Sequence, residues 1–102
     1  MFIRFSITAK LNRALKLHGM TCRYIPADCP SVDDQIEIYN ADGSESVVHL
    51  QLCACGELIV NEWVDNGDAM LHHPPTRSAT KAVALAASRA IDHALARALA
   101  AV

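Results

Sequence analysis

The chain of 102 residues predicts a single α+β domain (1–102), with a three-stranded antiparallel sheet held between an N-terminal and a C-terminal helix. A fourth, short strand is expected at the end of the sheet, giving the order α-β-β-β-(β)-α. Three observations predict this class. Residues 35–64 alternate apolar and polar side chains between strong turn signals, the pattern of half-buried strands. Residues 8–18 and 78–100 instead carry apolar residues at helical spacing. The charge follows the same division, at +5 over 1–27, −10 over 28–76 and +3 over 77–102.

The first helix is expected over Thr8 to His18, with Ser6 or Thr8 as N-cap and Gly19 just past its end. Ile7, Leu11, Ala14, Leu15 and His18 share one face, while Lys10, Arg13 and Lys16 lie away from it. Residues 2–7 either open as a short strand or lead into the helix. From Met20 to Asp34, Pro26, Asp28, Pro30 and Ser31 predict a loop, with some extended structure near Arg23 to Ile25.

Gln35 to Asn40 then alternates, with Ile36 and Ile38 on one side and Glu37 and Tyr39 on the other. Asn40-Ala-Asp42-Gly43 is a turn. The next strand, Ser46 to Cys53, sends Val48, Leu50 and Leu52 inward and His49, Gln51 and Cys53 outward. Leu58 to Val64 reads ambiguously, because Ile59 and Trp63 compete with Leu58, Val60 and Val64 for the buried face. A bulge or a two-sided strand would accommodate both sets. After the turn Asp65-Asn66-Gly67-Asp68, Ala69 to His73 adds the short strand, and Pro74-Pro75 ends the sheet. The last helix, capped by Thr76 or Ser78, runs to Ala100. Its expected stripe is Val83, Ala84, Ala87, Ile91, Ala94, Leu95, Ala98 and Val102, with Arg89, Asp92, His93 and Arg97 opposite.

No apolar run approaches the roughly 20 residues of a membrane span. The basic N-terminal segment has the charge of a transit peptide, but its apolar residues fall on one helical face, so a cytoplasmic protein is the expectation. The four cysteines read as reduced thiols. Cys22, Cys29, Cys53 and Cys55, with His49, His72 and His73, lack the knuckle spacing that tetrahedral zinc favours; a small zinc protein stands as a further alternative, and no cofactor or metal ligand is assigned. A Cys53 or Cys55 nucleophile paired with His49 or His73 would sit among carboxylates, which raise rather than lower a thiol pKa. The paired carboxylates Asp33-Asp34, or Glu57 with Glu62, read as solvated surface. All four glycines fall at turns or caps, so no phosphate-binding loop is present. These readings point away from an enzyme.

What remains is the acidic stretch itself, with ten carboxylates and no lysine or arginine over residues 28–76. A dense anionic face steers basic partners and competes for surfaces that otherwise hold phosphates. The expected partner-binding residues are Asp33, Asp34, Glu37, Tyr39, Glu45, His49, Glu57, Glu62, Trp63 and Asp65, with Tyr39 and Trp63 as aromatic anchors. The expected partner is the basic surface of a protein or ribonucleoprotein complex. The near-neutral total of −2 argues against direct nucleic-acid binding. A homodimer is compatible with the same sequence.

The acidic, lysine-free sheet from Asp28 to Thr76, followed by Pro74 to Thr76 leading into an Ala-rich helix, resembles the small acidic proteins of phages and mobile elements, of which anti-CRISPR proteins are the best-known group. That resemblance lies in the style of the sequence. It implies a non-enzymatic inhibitor of a bacterial nucleic-acid-handling complex, and it transfers no individual residue role. In element order, residues 9–98 are also similar to a double-stranded-RNA-binding domain. Such domains grip phosphates from the start of the last helix, where this chain has Arg77 and Lys81.

Overall fold

The computed structural model describes the backbone of residues 2–101 and the side chains of residues 6–101. The order is α1 (Phe2–Leu15), β1 (Thr21–Ile25), β2 (Asp34–Tyr39), β3 (Glu45–Leu52), β4 (Leu58–Val64), β5 (Ala69–His72) and α2 (Ala79–Ala100). The class is the expected α+β, but the sheet has five strands rather than three or four. Each strand pairs antiparallel with its neighbours in chain order, β1-β2-β3-β4-β5. No described helix is long and apolar enough to cross a membrane.

The fifth strand is β1, expected only as some extended structure inside a loop. Its register with β2 aligns Cys22 with Ile38 and Tyr24 with Ile36. The apolar alternation is short, and Pro26 follows it directly, which masks the strand in the sequence. Its outer edge is covered from α1. Asn12 accepts from the Cys22 backbone N–H at 2.8 Å and donates to the Cys22 carbonyl at 3.4 Å. A side chain thus takes the place of a further strand and blunts the edge against aggregation.

Helix α1 begins six residues earlier than expected and absorbs residues 2–7, so Ser6 and Thr8 lie inside it rather than capping it. A single 3₁₀ turn, Lys16–His18, carries the chain to Gly19, whose φ of 70° gives the expected left-handed cap. Ile7, Leu11 and Leu15 form its buried face. Ala14 and His18, expected on that face, are exposed.

Both helices lie on one face of the sheet, α1 against α2 and β1, and α2 against β3 and β4. Between the layers, Ile7, Leu11 and Leu15 meet Ile36, Ile38, Val48, Leu50 and Val60, each at most 2 % exposed. Helix α2 is capped by the Ser78 hydroxyl, which accepts from the Lys81 N–H. It turns Ala82, Val83, Ala86, Ala87 and Ala90 inward. Small side chains there let the helix backbone lie close to the strands. The expected stripe is therefore rotated: Ala84, Leu95 and Ala98 are exposed, and Val102 lies outside the described residues.

Candidate functional site

With both helices on one side, the other side of the sheet is left bare, and strand alternation decides what it shows. Leu58, Val60, Glu62 and Val64 face the helices, so Ile59, Asn61 and Trp63 face outward; this resolves the ambiguity of β4 without a bulge there. Strand register lines up Arg23, Glu37, His49, Asn61 and His72 as one polar row across all five strands.

Hydrogen bonds fix that row. Asn61, only 2 % exposed, is closed over by its neighbours. Its amide nitrogen donates to Gln51 Oε1 at 3.0 Å and His49 Nε2 at 3.2 Å, and its oxygen accepts from His72 Nδ1 at 2.6 Å. This pattern leaves Nδ1 of His49 carrying the proton. Burial pushes the His49 pKa below its ordinary value, against the pull of the Glu37 carboxylate. Gln51 in turn donates to Asp33 at 2.7 Å. On the other flank, Glu37 accepts from the Tyr39 hydroxyl at 2.5 Å and from Gln35 at 3.4 Å. The Arg23 guanidinium bonds Tyr39 Oη at 3.2 Å and lies 5.5 Å from the centre of that ring.

One end of this face is irregular. Between the pairs Glu37↔His49 and Tyr39↔Glu45, the single residue Ile38 faces three residues of β3, a bulge beside the exposed Val47. Beyond Trp63, Asp65 and Asn66 adopt left-handed backbone with φ of 54° and 58°, costly for residues other than glycine. Between these two irregularities lies a depression of about 720 Å³, walled by Glu45, Val47, Trp63, Asn66 and His93. A second, smaller one of about 180 Å³ lies on the open face between Glu37, Glu45, His49 and Trp63.

Six of the ten expected partner-binding residues share this open face or its rim: Asp33, Glu37, Tyr39, Glu45, His49 and Trp63. Of the other four, only Asp65 comes near them, lining the larger depression with Glu45 and Trp63. Asp34 points to the helix side at the strand end, accepting from the Tyr24 hydroxyl and the Ala27 N–H. Glu57 belongs to the β3–β4 turn and Asp65 to the turn after β4, at opposite ends of the strand between them.

Glu62 is the largest departure. It is 1 % exposed and points into the helix layer. Its two oxygens take four bonds: Arg89 Nε at 2.9 Å and His73 at 2.6 Å on one, Arg89 Nη2 at 3.1 Å and His93 at 2.7 Å on the other. The Arg89 guanidinium first, then the two imidazoles, outweigh burial and hold the carboxyl down at about 2. Arg89 and His93, expected on the solvent side of α2, therefore point at the sheet. Parity held the clue, since Glu62 shares its face with Leu58, Val60 and Val64, and a buried carboxylate requires a cation.

The open face also carries residues that pattern reading left out: Arg23, Asn61 and His72. Only the register between strands shows that these lie in one row. Among the described residues no three His, Cys, Asp or Glu side chains converge to hold a metal ion. All four cysteines are free thiols. Burial, then the charge of Asp33, pushes Cys53 up to about 11, so it is a protonated thiol at neutral pH. No protein-family model matches the chain, and neither a curated protein nor a solved structure resembles it at a significant level.

Proposed function

We propose that the chain is a non-enzymatic protein-binding module whose open sheet face receives the basic surface of a protein or ribonucleoprotein partner. In its concrete form, it inhibits a bacterial nucleic-acid-handling complex in the anti-CRISPR manner. The observation that carries the reading is the bare sheet face itself, with its polar row held in place by side-chain hydrogen bonds. Such a row loses little conformational entropy when a partner arrives. Asp33, Glu37 and Glu45 face outward there, and Arg23 is the only lysine or arginine among the described residues of the five strands.

Size supports the same reading. Five strands about 4.8 Å apart and on average six residues long make a patch of roughly 19 by 20 Å. That is about half of the 800 Å² or so that each partner contributes to a standard interface. The depressed end, with exposed Val47 and Trp63, extends it.

The test is capture of a partner from a bacterial lysate on immobilised protein. Retention is expected to fall as salt rises and to disappear in a Glu37→Lys, Glu45→Lys double variant that melts like the wild type. An Asp92→Lys control on α2 keeps it. Retention indifferent to both salt and the double variant would contradict the proposal. A second reading, binding of double-stranded RNA, is favoured by exposed Lys10 and Arg13 on α1 and Lys16 in the 3₁₀ turn after it. Absence of any gel shift with duplex RNA at low salt disposes of it.

A further inference from the structure

We infer that the depression between Glu37, Glu45, His49 and Trp63 is a receptor for a single arginine side chain of the partner. This rests on the protein-binding reading above and makes it specific. At about 180 Å³ the depression holds roughly six waters' worth of liquid volume. It is larger than an ion requires and smaller than the roughly 300 Å³ at which small-molecule pockets begin. That is the scale of one side chain.

Its walls match a guanidinium in both shape and charge. Trp63 is 43 % exposed and offers a flat ring whose face attracts cations. Glu37 is already oriented, its oxygens tied to Tyr39 and Gln35, so its charge is fixed in place rather than free to swing away. Glu45 is exposed and its carboxylate bonds no side chain among the described residues, which leaves it whole for a newcomer. His49 presents an imidazole that burial keeps neutral, so it does not repel a cation. The same face already seats one guanidinium against an aromatic ring, that of Arg23 beside Tyr39. Planar stacking together with forked bonds to carboxylates favours arginine over lysine.

Trp63 is the sole tryptophan of the chain, so its fluorescence reads the receptor directly. The probes are an acetylated Gly-Arg-Gly amide, its lysine counterpart and its neutral citrulline counterpart, titrated into the chain of 102 residues. The expected result is a saturable change in emission with the arginine peptide, weaker with lysine, and about tenfold or more weaker with citrulline, since a charge-assisted bond is lost. Glu45→Gln, an exposed change that leaves the melting curve unmoved, is expected to weaken arginine binding by a similar factor. In Trp63→Ala, which has no tryptophan emission, amide chemical shifts of Glu37 and Glu45 replace the readout and are expected to stay unmoved. Indistinguishable arginine and citrulline titrations, or an unaffected Glu45→Gln variant, overturn the receptor. If lysate capture still depends on the open face in that case, only the receptor fails; if capture ignores the face, the protein-binding reading fails with it.

Discussion

Glu62 concentrates more bonding than any other side chain described, and it shows how one residue ties three segments together. Its carboxylate joins β4 to α2 through Arg89 and His93, and to the segment leaving β5 through His73. Replacing it by Gln removes the charge but keeps the shape, leaving the Arg89 guanidinium facing a neutral amide. Breaking a buried pair costs about 3–5 kcal/mol, and the partial exposure of Arg89 reduces this. Glu62→Gln is expected to destabilise by about 2–3 kcal/mol in urea denaturation, with an unchanged slope. The carboxyl titrates at about 2 in the fold against 4.5 unfolded, so its contribution is present above the unfolded value and is lost as pH falls. The difference corresponds to about 3 kcal/mol, most of it disappearing between about pH 4.5 and 2. Unfolding free energy measured across that range should drop more steeply in the wild type than in Glu62→Gln; parallel curves would contradict the assignment.

At the scale of elements, α2 depends on what it lacks. Ala82, Ala86 and Ala90 have no exposed surface, and each sets how near the helix lies to the sheet. Ala86→Leu would add a branched side chain to a filled layer, with an expected cost of about 1–3 kcal/mol in thermal or urea unfolding. Ala84→Leu, one position outside the buried stripe, is expected to leave stability within about 0.5 kcal/mol. Equal effects at the two positions would show that the helix is turned differently. This rotation is where helical spacing misled. Alanine satisfies an apolar stripe in almost any rotation, and the polar residues Arg89 and His93 looked like solvent markers until Glu62 supplied the reason for them to turn inward. Strands with bulky alternation, Ile36 and Ile38 or Val48, Leu50 and Leu52, were legible because the wrong parity would expose a whole set of large side chains. Strand β1 was obscured because Cys22 and Tyr24 are weak markers and Pro26 stands next to them.

Across the whole molecule, the helices cover one side of the sheet and leave the other free. The charge map of the sequence led to the expectation of an acidic binding surface on the middle of the chain, and six of the ten nominated residues, three of them carboxylates, share one face or its rim. It missed the parity of Asp34 and Glu62 and the row completed by Asn61 and His72. Which residues stand opposite each other depends on register between strands, and turn signals alone do not set that register. The central claim is that a partner meets the bare face and not the helical layer. A photo-crosslinking amino acid placed at Val47, exposed on the open face, or at Ser88, exposed on α2, tests this in a bacterial lysate. The account predicts a discrete crosslinked product from position 47, diminished by Glu45→Lys, and none from position 88. Crosslinking from position 88 alone would place the partner on the helices and contradict it.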